Sequence, residues 1–252
     1  MDLLKSLFTW IFYILFLTIL FPFKIIVFLL VVLPTGKKQI IHSWLMFEGL
    51  ALIRLSPLWT IKIEGRENYD HGQTYVMVSN HQSMLDIPVI HCLNFSFLWV
   101  SKIENFKVPI LGLSMKMAGY IAIERGNKES VVKMMQESED ALKSGHSLFL
   151  FPEGTRSKDK NIKRFKTGSF RLALNTGLPV LPVLIDGTGQ VLPKKGIVFS
   201  SGHNLRVKVL KPIKPEDFGT DDPDILAEKI QVLLTRELDS LRQETAQNRL
   251  EL

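Results

Sequence analysis

Residues 74–86 read TYVMVSNHQSMLD, and this stretch decides the fold. Its first five residues are β-branched, aromatic or otherwise apolar, and they predict a buried strand. Polar residues follow, and a short helix is predicted over residues 84–93. Ser83 and Asp86 have the spacing of a helix-capping signature, so we expect that helix to begin near Ser83. A strand, a polar turn and a helix in this order form the repeating unit of an α/β fold.

The same alternation continues through the rest of the chain. Further strands are predicted at residues 60–63, 97–100, 120–123, 147–151, 179–185 and 205–210. Helices are predicted at residues 39–55, 110–118, 128–143, 166–175 and 222 to about 241, the last with Asp222 as cap and Pro223 in its first turn. The alternation predicts one α/β domain over residues 37–252, with a largely parallel sheet flanked by helices.

An apolar segment precedes this domain. Residues 7–23 read LFTWIFYILFLTILFPF, and residues 25–33 continue as IIVFLLVVL after Lys24. This is longer than the roughly 20 residues of one membrane span and too short for two. Pro22 is expected to break or kink the helix. Residues 1–36 are therefore predicted to form a membrane anchor, either as two short helices that dip into one leaflet or as a single tilted span. Basic residues flank both sides, so charge asymmetry does not choose between the two.

Composition narrows the classes of partner. The chain has 252 residues, 46% of them hydrophobic, a mean hydropathy of +0.15 and a net charge of +6. A basic surface suits nucleic acid, anionic lipid or phosphorylated substrates. The apolar N-terminus favours lipid, and no nucleic-acid-binding motif is recognisable, so no nucleic-acid partner is predicted. The single cysteine, Cys92, excludes an intrachain disulfide framework and fits a reducing compartment.

His81 and Asp86 are the candidate catalytic pair. A neutral imidazole takes a proton from a hydroxyl near pH 7, and a carboxylate beside it fixes its tautomer. Residues five apart do not share a face of a straight helix. We therefore expect His81 in the turn, Asp86 folded back towards it, and free backbone N–H groups of the helix start available to hold an oxyanion. In the alternative interpretation His81 is a polar loop residue and Asp86 only a cap.

Basic residues follow three further predicted strands. Lys102, Arg125 and Arg156 stand where ligands gather in open α/β sheets, at the carboxyl ends of strands. The guanidinium fork binds phosphate through two hydrogen bonds, and Gly154 permits close backbone approach to a ligand. Glu153 is either an ion-pair partner of the arginines or a ligand of substrate hydroxyls. In the alternative, each basic residue is a solvated surface charge.

Other chemistries lack support in the sequence. There is no G-x-S-x-G pattern of a serine hydrolase and no phosphate-binding P-loop. His91 and Cys92 lack the spacing of a zinc site, so no metal site is predicted.

Four segments within residues 80–183 together resemble the glycerophospholipid acyltransferase family. His81 and Asp86 match its first motif, a histidine and an aspartate with four residues between, and the neighbouring Asn80, Gln82 and Ser83 give the version of the 1-acylglycerol-3-phosphate acyltransferase branch. Residues 119–125 (GYIAIER) match the second motif, except that Glu124 stands where the branch usually has aspartate. Residues 151–157 (FPEGTRS) match the third, and residues 180–183 (VLPV) the fourth.

The resemblance implies transfer of a fatty acyl group to the sn-2 hydroxyl of 1-acyl-sn-glycerol-3-phosphate. Acyl-CoA or acyl carrier protein would be the donor, and no cofactor is implied. Lys102, Arg125, Glu153, Gly154, Thr155 and Arg156 would bind the substrate. Membrane lipids would be partners. The protein would be located at the bacterial inner membrane, with its active site on the cytoplasmic face. The alternatives are another acceptor, such as glycerol-3-phosphate or a different lysophospholipid, and a non-catalytic scaffold that binds anionic lipid.

Overall fold

One seven-stranded sheet organises the protein, in the order β1-β7-β6-β2-β5-β3-β4. The computed structural model describes residues 2–250. The strands are β1 (Trp59–Glu64), β2 (Val76–Ser79), β3 (Leu98–Lys102), β4 (Ile121–Ile123), β5 (Leu148–Leu150), β6 (Val180–Asp186) and β7 (His203–Val209). The five strands from β6 to β4 run parallel, β7 is antiparallel to β6, and β1 is parallel to β7. The predicted α/β class with a largely parallel sheet is confirmed.

Helices cover both faces of this sheet. They are α1 (Asp2–Val27), α2 (Leu33–Thr35), α3 (Gln39–Arg54), α4 (Asp86–His91), α5 (Leu111–Met117), α6 (Lys128–Lys143), α7 (Gly168–Thr176), α8 (Thr188–Val191) and α9 (Pro223–Leu250). Short 3₁₀ segments lie at Arg66–Asn68, Ile103–Lys107 and Pro215–Asp217. Because side chains alternate along a strand, Met77 of β2 enters the core on the side of α1 and α3, whereas Val76 and Val78 enter the core formed with α6, α7 and α9. The central strand is therefore buried on both faces.

The N-terminal segment is one continuous helical rod. Helix α1 passes through Pro22, and a π-helical segment (Phe28–Val32) joins it to α2. Of the predicted break or kink at Pro22, the break is therefore wrong. Proline removes one backbone donor, but this helix packs on the domain both before and after Pro22, and those contacts hold its direction. Residues 3–35 are long and apolar enough to cross a membrane by length and composition.

The inner face of α1 is attached to the domain by buried polar contacts. The Tyr13 hydroxyl donates to the Leu52 carbonyl oxygen at 2.9 Å. Lys24, only 1% exposed, forms an ion pair with Glu48 of α3 at 2.9 Å and donates to Ser114 Oγ of α5 at 3.1 Å. A buried ion pair adds little net stability, but it penalises every arrangement that separates the two charges. The pair thus fixes the position of α1 along α3 and α5.

The start of α4 and the end of α9 differ most from the predicted bounds. Helix α4 begins at Asp86 instead of near Ser83. Ser83 Oγ donates to the Leu192 carbonyl oxygen and accepts from the Leu85 N–H, and these two bonds hold residues 83–85 in a turn. The start of α9 is as predicted: Pro223 is its first residue and Asp222 accepts from the Asp224 N–H at 2.7 Å. Helix α9 continues to Leu250, beyond the apolar face from which its end near residue 241 was predicted.

Candidate active site

The carboxyl ends of four adjacent parallel strands bring the candidate residues to one edge of the sheet. His81 follows β2, Glu153 follows β5, Lys102 ends β3 and Arg125 follows β4. Since β2, β5, β3 and β4 are neighbours in this order, the histidine stands at the centre of the fold and the basic residues extend to one side of it.

The His81 imidazole is held by Asp86. His81 Nδ1 lies 2.7 Å from Asp86 Oδ2, and the Asp86 side chain is completely buried. A carboxylate accepts only, so in the neutral imidazole Nδ1 carries the proton and Nε2 has the free lone pair. Nε2 is therefore the nitrogen that can take a proton from a bound hydroxyl.

The same carboxylate also closes its own loop. Asp86 Oδ2 accepts from the backbone N–H groups of Gln82, at 2.7 Å, and Ser83, at 3.0 Å. The expectation that free N–H groups at this turn hold an oxyanion is therefore wrong for these two donors. The spacing that lets Asp86 reach back to His81 also places its oxygen over the intervening peptides.

Glu153 ties the histidine loop to the loop after β5. Glu153 Oε1 accepts from the His81 N–H at 2.8 Å, and Oε2 accepts from the Lys163 N–H at 3.3 Å. In the same loop the Ser157 N–H donates to the His81 carbonyl oxygen at 2.8 Å. Burial raises the pKa of Glu153 to about 7, although both N–H groups favour its charged form. These contacts make Glu153 a support of the His81 backbone, and its role as a substrate ligand stays a prediction.

Phe151 provides a flat support for the imidazole, a role that no sequence pattern predicted. The rings of His81 and Phe151 are nearly parallel, at 12°, with centroids 3.9 Å apart. Trp99 backs Phe151 at 5.5 Å and 23°. Asp86 fixes one edge of the imidazole and Phe151 fixes its plane. An aromatic face also favours the cationic imidazolium that forms on proton uptake. In the sequence, Phe151 is evident only as an aromatic residue at the end of a predicted strand.

The basic residues are partly exposed around this centre. Lys102 forms an ion pair with Glu104 at 2.7 Å, Arg125 is exposed, and Arg156 is half-buried. Gly154 has a φ of +67°, and a Cβ at this position would lie 3.0 Å from the Lys166 side chain. Both the backbone conformation and the nearby lysine therefore favour glycine at this position.

Lys194 is a further cation that the sequence analysis missed. Its Nζ donates to Thr155 Oγ1 at 2.9 Å and to the Arg156 carbonyl oxygen at 2.6 Å. Desolvation lowers the pKa of Lys194, and the charges of Lys163, Lys158 and Arg156 lower it further. Mutual repulsion among these cations favours an anionic ligand. Because Lys194 is distant in sequence from residues 151–157, only the fold brings it to them.

No resident metal site is evident in the part of the chain that the structure describes. Within residues 2–250, no three His, Cys, Asp or Glu side chains are grouped to bind a metal ion.

Fold and site define an α/β protein with a histidine–carboxylate pair at the carboxyl edge of a parallel sheet. Residues 60–186 match the family model described as Acyltransferase. This is half of the chain, and the protein belongs to that family.

Curated relatives carry one recurring name. The chain is 42% identical over 164 residues to the 1-acyl-sn-glycerol-3-phosphate acyltransferase LPAT1, chloroplastic, of Arabidopsis thaliana, covering 65% of this chain and 46% of the relative. It is 31% identical over 186 residues to the human 1-acyl-sn-glycerol-3-phosphate acyltransferase alpha, covering 72% and 65%. The chain thus spans less than two thirds of the length of either relative.

A solved structure supports the fold. The crystal structure of the 1-acyl-sn-glycerophosphate (LPA) acyltransferase PlsC from Thermotoga maritima superposes with a TM-score of 0.80 over 96% of both chains, at 24% identity.

Proposed function

We propose that this protein transfers a fatty acyl group from a thioester donor to the sn-2 hydroxyl of 1-acyl-sn-glycerol-3-phosphate, which forms phosphatidic acid. The observation that carries the proposal is the His81–Asp86 pair, which leaves Nε2 free at the carboxyl edge of the sheet. Relatives that share the family bear the name of this reaction.

The proposed mechanism needs no acyl-enzyme. His81 Nε2 takes the proton of the acceptor hydroxyl as that oxygen attacks the thioester carbonyl. The buried Asp86 carboxylate stabilises the imidazolium, which then gives its proton to the leaving thiolate as the carbon–sulfur bond breaks. The reaction is balanced, because one ester forms, one thioester is broken and the proton of the hydroxyl ends on the leaving thiolate. Holding both substrates together supplies much of the rate advantage.

Basic side chains are proposed to hold the acceptor phosphate. Arg125, Lys102 and Arg156 carry the positive charge along the strand ends beside His81. Gly154 and Thr155 would line the glycerol part of the site. Guanidinium groups suit a phosphate because their planar fork makes two parallel hydrogen bonds to it.

The donor is proposed to be acyl-CoA or acyl carrier protein, without a resident cofactor. A thioester is already an activated acyl group, so the transfer requires only a base, an acid and charge stabilisation. The positive charges of residues 156–163 and Lys194 suit the phosphates of coenzyme A and the acidic surface of a carrier protein alike.

The protein is proposed to act at a membrane, which holds both the acceptor and the product. The exposed apolar face of α1 supports this location. The bacterial inner membrane is our specific proposal for this location. An active site on the cytoplasmic side fits a free cysteine, Cys92.

Thiol release tests the proposal. The purified full chain in detergent is incubated with acyl-CoA and lysophosphatidate, and free thiol and phosphatidic acid are measured together. We expect both products to depend on lysophosphatidate and to be lost in His81→Ala, with the fold retained by circular dichroism.

The donor and the acceptor are then varied. If acyl-CoA gives no thiol, acyl carrier protein is the donor to test, and a headgroup series that includes glycerol-3-phosphate tests the acceptor. Lipid binding without thioester cleavage for every pair would refute the enzyme and favour a lipid-binding scaffold.

A further inference from the structure

A surface loop at residues 193–199, PKKGIVF, exposes apolar side chains next to basic ones. Ile197 is 73% exposed and Val198 is 39% exposed, and Lys195 is exposed beside them. Among residues 2–250, no side chain covers most of Ile197. We refer to this segment as the 193–199 loop.

The loop is bound to the N-terminal half of α1. Ser6 Oγ donates to the Phe199 carbonyl oxygen at 3.3 Å and accepts from the Phe199 N–H at 2.7 Å. The Trp10 indole N–H donates to the Ile197 carbonyl oxygen at 2.7 Å, and the Phe199 ring packs on Trp10 with centroids 5.0 Å apart. The loop therefore keeps a fixed position beside this helix.

Trp10 marks the border between the buried and the exposed faces of α1. Ser6 and Tyr13 flank it on the buried side. Leu7 and Ile14, three and four residues away, adjoin it on the other side and are 56% and 61% exposed. The exposed tip of the 193–199 loop thus continues the apolar stripe of α1 across this border.

The other end of the loop reaches the candidate active site. The Leu192 carbonyl oxygen accepts from Ser83 Oγ at 2.7 Å, and Lys194 contacts Thr155 and Arg156 as described above. One short segment therefore joins the N-terminal half of α1, the His81 turn and the loop after β5.

We propose that the 193–199 loop is a second membrane contact, which inserts Ile197 and Val198 into the headgroup region of an anionic bilayer and meets lipid phosphates with Lys195. The proposal rests on the proposed function only for the membrane location. The occupant is lipid because the loop continues the exposed apolar face of α1, and because basic side chains stand beside apolar ones, as at membrane interfaces.

Such a contact fixes the height and tilt of the active site over the bilayer. Lys194 lies one residue from Lys195 and donates to the Arg156 carbonyl oxygen, so a lipid bound at the loop is delivered next to the proposed phosphate site. The loop would then present the headgroup of an acceptor lipid to His81 while its acyl chain stays in the membrane.

Site-specific fluorescence quenching tests the proposal. Ile197→Cys is labelled with a nitrobenzoxadiazole dye and the full chain is reconstituted into phosphatidylcholine–phosphatidylglycerol vesicles that contain a nitroxide-labelled phospholipid. Cys92 is buried and burial raises its pKa to about 11, so the wild-type chain serves as the labelling blank. Leu7→Cys on α1 is the positive control. Val132→Cys is the matched control, because Val132 is equally exposed, at 69%, on helix α6 at the opposite face of the sheet.

We expect the dye at residue 197 to be quenched as strongly as the dye at residue 7, and the dye at residue 132 to stay unquenched. Quenching at residue 7 alone would overturn the loop contact and leave the anchor intact. No quenching at either position would overturn both. Quenching at residue 197 without thiol release from any tested pair of donor and acceptor would refute the proposed reaction and still support the membrane contact.

Discussion

Replacing Asp86 by asparagine isolates the charge of the catalytic pair from its geometry. Asp86 Oδ2 accepts three hydrogen bonds, from His81 Nδ1 and from the N–H groups of Gln82 and Ser83. In Asp86→Asn, an NH₂ group in the place of Oδ2 would face two backbone N–H donors. The asparagine carbonyl oxygen must therefore occupy that place, and the NH₂ group the place of Oδ1. The His81 tautomer is then preserved, and the variant loses only the negative charge.

The magnitude follows from Coulomb's law. Opposite unit charges about 4 Å apart attract by about 4 kcal/mol at an effective dielectric constant of ~20. Asp86→Asn should therefore lower kcat by roughly a thousandfold, with little change in KM, because the imidazolium exists only after proton transfer. Asp86 Oδ1 is buried and has no hydrogen-bond partner within the residues that the structure describes. The asparagine NH₂ at this position should cost about 1–3 kcal/mol of folding stability.

A double-mutant cycle measures the coupling between the two residues. Thiol release is followed for the wild type, Asp86→Asn, His81→Ala and the double variant, with thermal unfolding as the control for folding. Because Asp86 acts through His81, the double variant should be no slower than His81→Ala. A kcat of Asp86→Asn within about tenfold of the wild type would refute the reasoning, as would an undiminished effect of Asp86→Asn in the absence of the histidine.

Four further substitutions test the other contacts. Phe151→Leu should lower kcat by about two- to tenfold at constant KM, since an aromatic pair contributes ~0.5–1.5 kcal/mol; an altered KM alone would assign Phe151 to binding instead. Arg125→Ala should mainly raise the KM for lysophosphatidate in steady-state assays, and an unchanged KM would remove Arg125 from the phosphate site. The pKa of Glu153 is about 7 in the folded state against an ordinary value of 4.5, so the folded state keeps this proton to a higher pH than the unfolded state does. The free energy of unfolding should therefore fall by about 3 kcal/mol from this group as the pH rises from 4.5 to above 7. Unfolding of Glu153→Gln over that pH range should lack this decline, and an identical decline would assign it to other groups. Lys24→Met leaves Glu48 buried without its partner and should lower the free energy of unfolding by about 3–5 kcal/mol. The double variant Lys24→Met/Glu48→Leu should recover most of this loss, and no recovery would contradict the pairing.

Local sequence patterns were sufficient for the strands, for the largely parallel character of the sheet and for the histidine–aspartate pair. The apolar run before Asn80 predicted the central strand, and the five-residue offset between His81 and Asp86 predicted a turn in which the two meet. Both depend on residues close together in the chain. The strand alternation likewise predicted that Lys102, Arg125 and Arg156 follow the carboxyl ends of strands, whereas the order of those strands in the sheet came only from the structure.

Contacts between distant segments account for what the sequence did not predict. The stacking of Phe151 on His81 depends on the pairing of β2 with β5, and the bond from Lys194 to Arg156 depends on how the 193–199 loop returns to the site. Helix α1 continues through Pro22 because the domain holds it on both sides. The propensities of residues close together in the chain do not predict these long-range contacts.

The buried Lys24–Glu48 pair has a consequence for biogenesis. During synthesis α1 emerges before Glu48 and Ser114 exist, so the nascent helix carries an unneutralised ammonium group within an otherwise apolar sequence. Such a charge at the centre of a spanning helix costs about 3 kcal/mol on insertion scales. Lys24 therefore opposes threading of this segment straight across a bilayer until Glu48 of α3 and Ser114 of α5 supply its partners. Neutralisation of this charge is in this way coupled to the packing of α1 on the domain.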